Sequence, residues 1–536
     1  MPFELTIWLS VGAVLLAILL IVAFVRRKHS YFVAANIPGP PPTFLLGNLG
    51  TLWQASHYFR QLESWTHQYG KVYGMFEGTA PIYVVSDVDF LEQVFITQFA
   101  KFDRRKPLLF LLPGQEKRLH VFDANGPTWR RQRYILNPAF SKAKLTQMLP
   151  LINGCVDEFV QTLASYADEN VDVDVCPMYF RMTVDTIFRC AFSFDTDVQQ
   201  NPSNPYLTRY DELLSVDARK LFFAKLATAL PALGGFILQI FMRLFMLLHK
   251  LNKTFSFVHF PEMPLLWLLD HIGEHVIRVR TEENEIDRVD LLHIMLDAAT
   301  DQSIVDEEAH CDEDISTSAR TPIVKKLTIN EILGNVFIFG AAGTETTANI
   351  LSYCTYILAT DHEVQQKLQD EIDANIDSNV QSPTYEMIDK LEYLDMFIKE
   401  VNRMYPVGPI ALTRLCMQDT TIGQYTVKKG TVVQVDPYSI HYDVDLWGPV
   451  DPYKFYPERH ATKRHPLAYV SFGAGPRSCV GIRFAMMEIK MTCVRLLKTF
   501  TILKCGKLES NFQIHDRATI KPEAVWVKFE HRKQAD

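Results

Sequence analysis

No C-x-x-C pair occurs among the nine cysteines of this 536-residue chain, which stand scattered at positions 155, 176, 190, 311, 354, 416, 479, 493 and 505. The usual zinc spacings are therefore missing, and an odd, patternless set makes no disulfide framework, so a reducing environment is expected. A basic tract is also lacking. Acidic residues outnumber basic ones by 62 to 54 for a net charge of −8, which speaks against a nucleic-acid partner. The first apolar run has no basic residue before it, unlike a cleaved secretory signal. What is present is apolar bulk: 48% of the residues are hydrophobic, enough for a large core.

That first run, Ile7 to Val25, is uncharged and close to the ~20 residues that a membrane-spanning helix needs. Arg26, Arg27 and Lys28 follow it and only Glu4 precedes it, which places the C-terminal flank in the cytosol and the N-terminus in the lumen. Residues 1–35 are expected to form a retained signal anchor with a basic flank. Residues 36–50 carry Pro38-Gly39-Pro40-Pro41-Pro42, read as a short rigid spacer because proline fixes φ. Residues 51–536 form the body.

Three stretches of the body carry chemistry. In Phe472-Gly-Ala-Gly-Pro-Arg-Ser-Cys-Val-Gly481, glycines bend the chain around Cys479, and a helix is expected from Ile482 to Lys490. A thiol at a helix start has its anion favoured by the dipole and by free N–H groups. Gly473, Gly475 and Gly481 would let the backbone approach a flat ligand, and Arg477 suits a carboxylate. The plainer reading is a buried structural cysteine. Trp129 and Arg133, four apart on the helix opened by Gly126-Pro127, share one face and could together hold a carboxylate. Arg130 and Arg131 are read as pointing elsewhere, forming with Lys142 and Lys144 a basic face for an acidic electron donor.

Thr328-Ile-Asn-Glu331 is a capping-box pattern opening a helix to about Thr360. Its centre, Gly340 to Thr347, is small-residued and contains Glu345-Thr346, an acid and an alcohol able to relay protons. A helix crossing that needs glycine is the competing explanation. Further on, Leu394, Phe397, Ile398, Val401 and Tyr405 recur at helical spacing, with Glu400 and Arg403 three apart.

Taken together, Phe472-x-x-Gly475-x-Arg477-x-Cys479-x-Gly481, Trp129-x-x-x-Arg133, Ala342-Gly343-x-Glu345-Thr346-Thr347 and Glu400-x-x-Arg403 resemble the signatures of the cytochrome P-450 family over nearly the whole chain. The resemblance implies one mainly α domain (51–536) with a small β-rich part. It implies haem b (iron protoporphyrin IX) ligated by Cys479, with Trp129, Arg133, Arg414, Phe472, Arg477, Gly481 and Ala342 around it and Arg104 a weaker propionate candidate. Glu345 and Thr346 would deliver protons, while Ala342, Gly343 and Thr347 would line the pocket. Arg459 would complete a buried structural triad with Glu400 and Arg403.

The remaining expectations concern the pocket's surroundings. Val72 to Ser86 reads as a hairpin, and Thr420 to Val435 as another turning at Lys428-Lys429-Gly430. Pro107 to Asn125 would cap the pocket and Pro406 to Leu412 would line it. Leu226 to Met242, broken at Pro231, Gly234 and Gly235, is read as a pair of short helices that roof the pocket and dip into the membrane. Asp301 to Arg320 is read as a solvated loop.

By resemblance the protein is a microsomal haem-thiolate monooxygenase in the endoplasmic reticulum membrane, single-pass, with its body in the cytosol. It would oxidise apolar small molecules such as steroids, fatty acids or xenobiotics. A separate NADPH–cytochrome reductase would serve it, with help from cytochrome b5, because no flavin domain is attached. One alternative is a haem-thiolate isomerase of lipid endoperoxides, like thromboxane synthase, which the resemblance says would dispense with the acid–alcohol pair. The other is a non-catalytic membrane haem protein, which would keep Cys479 but need no proton relay.

Overall fold

The computed structural model describes residues 2–107, 119–217, 220–254, 263–281, 290–300, 325–508, 512–516 and 519–532. The expected loop 301–320 and residues 108–118 of the pocket-capping segment lie outside them. Helix α1 (Pro2–His29) contains Thr6–His29, the one helix among the described residues long and apolar enough to cross a membrane. Its end is fastened to the body. His29 Nε2 lies 3.0 Å from the Gly78 carbonyl, and the buried Phe32 ring meets Phe76 and Tyr83 at 5.1 and 5.0 Å. Gly74 makes that possible, since a Cβ there would stand 2.3 Å from the Phe32 ring. The proline segment is bonded to the same sheet: Gly74 N–H donates to Pro38 O at 2.9 Å, and Asn48 bridges Pro40 O and Phe76 N–H.

Strands β1 (Val72–Glu77) and β2 (Ala80–Val85) form the expected hairpin, with Gly78 at φ +59° in the turn. The helical layer follows as α2 (Gly126–Leu136), α3 (Lys142–Asp168), α4 (Cys176–Phe192), α5 (Phe222–Ala229) and α6 (Pro231–Thr254). The expected pair of short helices is thus one short and one of 24 residues. Only Leu230-Pro231 breaks the run, because proline that ends one helix is well suited to begin the next. Gly234 and Gly235 lie inside α6, and Gly234 lets α5 come close: a Cβ would stand 2.4 Å from Ala227 O.

Helix α7 (Ile329–Thr360) runs through the centre, opened by the capping box: Glu331 N–H donates to Thr328 Oγ1 at 3.3 Å and Thr328 N–H to Glu331 Oε2 at 2.9 Å. Glu331 also takes Arg131, whose Nη2 lies 2.7 Å from its Oε1, both side chains being buried. This corrects the reading of Arg131 as part of an exposed basic face. A buried carboxylate at the start of α7 needs a cation, and α2 supplies it.

After α8 (Glu392–Met404) come β3 (Thr413–Leu415), β4 (Thr420–Ile422), β5 (Tyr425–Val427) and β6 (Val432–Val435). The second hairpin turns at Gly423, φ +55°, rather than at Lys428–Gly430. At Gly430, φ +86°, the chain turns again and β6 leaves to lie parallel to β2, Ile82 opposite Val432, in a sheet ordered β1-β2-β6-β3. Helix α9 (Ile482–Thr499) and the strands β7 (Ile514–Asp516) and β8 (Ile520–Pro522) complete the site's surroundings. Helices α3, α4, α7, α8 and α9 share the main apolar core, and the β1–β2–β6 sheet covers a second one.

Within the main core α9 buries a carboxyl, Glu488. Burial pushes it up to about 8, opposed only by the Thr186 hydroxyl. The folded chain therefore holds a proton that the unfolded chain releases near the ordinary 4.5, so this group's contribution to stability falls as pH rises from there to about 8. Urea midpoints should drop between pH 6 and pH 8, and Glu488→Gln should shrink that drop. An undiminished drop in the variant would place its origin elsewhere.

Candidate active site

The loop before α9 is closed by its own backbone: Cys479 N–H donates to Phe472 O at 2.8 Å and Ser478 N–H to Gly475 O at 3.0 Å. Gly473 and Gly475 have φ of +70° and +66°. The expectation that three glycines make room for a ligand is corrected. A Cβ on Gly475 would lie 2.0 Å from Phe95 O, so this glycine seats the loop on a neighbouring segment, while Gly481 has space. Cys479 keeps accessible surface although protein closely surrounds it. Burial pushes the thiol up; the Gly481 N–H and the charges of Arg133 and Arg105 pull it down, towards the thiolate.

Guanidinium groups crowd the same region. Arg477, buried, donates from Nη1 to Phe122 O at 3.2 Å and from Nη2 to Ala124 O, and stands 4.6 Å over the buried Trp129 ring. Arg414 is buried 4.1 Å over Phe95, with Nη1 on Thr413 O at 2.7 Å. Arg105 donates to Phe122 O at 2.9 Å and Arg477 O at 3.1 Å. Burial lowers all three together with half-buried Arg133, and their mutual repulsion adds to this for Arg105, Arg414 and Arg477. A guanidinium does not surrender its proton inside a protein, so the cluster calls for anions. The Nε atoms of Arg104, Arg105, Arg414 and Arg477 are buried without a partner among the described residues.

An accessible cysteine beside unpaired guanidinium N–H groups fits a haem with two propionates. Arg105, overlooked in the sequence, is the neighbour of Arg104 whose charge reaches Cys479, Arg133, Arg414 and Arg477. Only the adjacent pair of arginines could have signalled it.

Helix α7 presents distinct faces. Ala342 is exposed and half-buried Thr346 stands one turn on, its Oγ1 donating to Ala342 O at 2.7 Å. Gly343 and Thr347 do not share that face. A Cβ on Gly343 would meet Ile187 of α4 at 2.6 Å, and Thr347 is buried, which corrects their reading as pocket lining: here glycine serves the helix crossing. Glu345 is buried, with Oε2 accepting from Thr519 at 2.7 Å and Oε1 from Lys521 at 2.9 Å.

In a second cluster, Glu400 is wholly buried and gathers Arg403 (Nε–Oε2 2.8 Å, Nη2–Oε1 2.9 Å), Arg459 (Nε–Oε1 2.9 Å) and His460 (Nε2–Oε2 2.9 Å). Tyr456 N–H adds a fifth contact at 3.0 Å. Burial alone would push this carboxyl up, but the hydrogen bonds from Arg403 and His460 and the charges of Arg403 and Arg459 hold it down at about 2. The surplus donors of Arg403 and Arg459 reach the carbonyls of Pro452, Trp447 and Lys454, each at 2.8 Å.

A family model described as Cytochrome P450 matches residues 37–524. The chain is 33% identical over 521 residues to a Caenorhabditis elegans protein described as putative cytochrome P450 CYP13A10, spanning 94% of this chain and 95% of that one. It is 29% identical over 517 residues to cytochrome P450 3A2 of Rattus norvegicus, spanning 95% and 94%.

Replacing Arg477 by leucine removes a buried charge that lacks a full partner set. The haem-free Arg477→Leu protein should melt no lower than its parent, while haem dissociates about tenfold faster from the loaded form. Equal destabilisation of both forms would mean a purely structural role. At the second cluster, Glu400→Ala strands two buried guanidinium groups and should cost about 3–5 kcal/mol, yielding aggregate or haem-free protein. Normal haem content in that variant would remove the triad from the account.

Proposed function

The chain belongs to the cytochrome P450 family, and from that premise we propose that it oxidises apolar small molecules at a haem held by Cys479, drawing electrons from NADPH through a separate reductase. Membership makes it a monooxygenase that binds haem b through a cysteine thiolate. The observation that carries the assignment to Cys479 is its place: an accessible cysteine closely surrounded by protein, with the Gly481 N–H and two guanidinium charges favouring its anion. Haem b with a thiolate ligand supplies an electron-rich iron for dioxygen activation.

The chain's own residues do the rest. Arg105, Arg133, Arg414 and Arg477 hold the propionates and orient the cofactor, while Trp129 keeps Arg477 in place from beneath. Phe472 fixes the loop through its carbonyl. The accessible Ala342–Thr346 face lines the substrate pocket in this reading, and Thr346 with Glu345 moves protons towards it. Monooxygenation places one oxygen atom in the substrate and the other in water, so each turnover takes up two electrons and two protons. An acid–alcohol pair on α7 suits that demand, which an isomerase would not have.

Helix α1 anchors the protein in the endoplasmic reticulum membrane, and the exposed apolar side chains of α5 and α6 (Phe222, Leu233, Phe236, Ile240, Leu244 and Leu247) rest on the bilayer, where apolar substrates partition. Cytochrome b5 is a second electron donor in this reading.

Cys479→Ser should abolish the thiolate spectrum of the reduced, carbon monoxide-bound protein and, with it, substrate-dependent consumption of NADPH and oxygen. Unchanged turnover in the variant would refute the ligand assignment, and wild-type turnover without NADPH or oxygen would favour the isomerase.

A further inference from the structure

Glu345 is aimed away from its neighbour Thr346. Both carboxylate oxygens are taken by β8 and the residue before it, Lys521 Nζ on one and Thr519 Oγ1 on the other, while Thr346 turns back to its own helix. Thr519 is in turn held from α7, accepting from Asn349 Nδ2 at 3.3 Å one turn beyond Glu345. The backbone carrying these groups is pinned as well: Ile520 N–H donates to Val407 O at 3.0 Å, β7 pairs along β8, and Asp516 of β7 accepts from Phe59 N–H at 3.0 Å. Of the two ion-pair partners, Glu345 is 3% exposed and Lys521 is 21% exposed.

Resting on the proposed monooxygenase reading, we infer that Lys521 and Thr519 are positioning residues that set where the Glu345 carboxyl points and connect it to solvent. Thr344 and Thr347 on either side are buried, so the route from Glu345 to water leads past Lys521. An ammonium and a hydroxyl on its two oxygens hold the acid in one resting geometry. To serve the reaction the carboxyl must give up at least one of these bonds, swing towards the Thr346 face with its proton, and return to Lys521 and Thr519 to be recharged from solvent. Both residues thereby feed the acid, and losing either slows its recharging, without touching substrate or cofactor. Nothing in the local sequence of Glu345 foretells this, since its partners lie some 170 positions further along the chain.

The test uses full-length holoenzyme in vesicles with NADPH–cytochrome reductase, measuring hydrogen peroxide released per NADPH consumed and the solvent deuterium isotope effect on NADPH oxidation. Lys521→Met should raise the peroxide share about threefold, a small part of the ~100-fold that a positioned acid supplies, and should change the isotope effect. Lys521→Arg should restore both, and Thr519→Val should give an intermediate value if Lys521→Met does not fold. Melting temperatures in a double-mutant cycle with Glu345→Gln supply a readout independent of turnover: the loss caused by Lys521→Met should largely vanish in the Glu345→Gln background. A peroxide share equal to the parent's in folded Lys521→Met, or additive melting losses, would overturn the inference. If instead the parent itself lacks the thiolate spectrum, it is the monooxygenase reading at Cys479 that fails.

Discussion

Positive charge buried faster than the chain can neutralise it is the constraint on which this structure turns. Arg105, Arg414 and Arg477 lie inside the protein within each other's electrostatic reach, and Arg133 is half-buried beside them. The acids nearby are poor counterions: burial pushes Asp103 up, and Asp123 to about 7, despite the arginines that pull them down. Carbonyl oxygens of Phe122, Ala124 and Thr413 and the faces of Phe95, Phe122 and Trp129 solvate part of each guanidinium. Four Nε groups are left over. Two propionates would answer both deficits, charge and hydrogen bonds, which would make haem a component of the folded core as much as a reagent within it.

The Glu400 cluster shows the same problem solved inside the chain. There two buried arginines share one carboxylate, a histidine takes up its remaining capacity, and backbone carbonyls absorb the surplus donors. One of its two positive charges is neutralised and the surplus donors find carbonyls without a ligand, which suits a cluster tying α8 to the segment around Arg459. The difference between the two clusters lies in the supply of carboxylate and marks which of them needs a cofactor.

Legibility followed locality. The capping box at Thr328, the hairpin at Val72–Val85 and the Glu400–Arg403 spacing are patterns within a few residues, and each stands in the structure where its spacing implied. Partners supplied from afar were invisible. Arg131 finds Glu331, Glu345 finds Lys521, and Gly475 is needed because of Phe95, across separations that no periodicity records. The second hairpin was misplaced for a related reason. Gly423 and Gly430 both turn the chain, and only the pairing of β6 with β2 decides which turn closes the hairpin.

Helix α7 shows why a motif of small residues resists a single reading. Successive residues on a helix point about 100° apart, so positions in one short motif serve different neighbours. At Gly343 the missing Cβ leaves room for the tip of Ile187 from α4, and at Gly340 for the Tyr210 hydroxyl, which would lie 2.1 Å from a Cβ. Ala342 and Thr346, four apart, share a face that keeps accessible surface, and Glu345 is drawn off to β8. The competing explanations of the motif, close packing and proton delivery, are therefore compatible, because they draw on different faces. Packing fixes how α7 presents the face that carries Ala342 and Thr346, so a residue at Gly343 too bulky for Ile187 to yield to would rotate or displace the positions that carry Thr346 and Glu345.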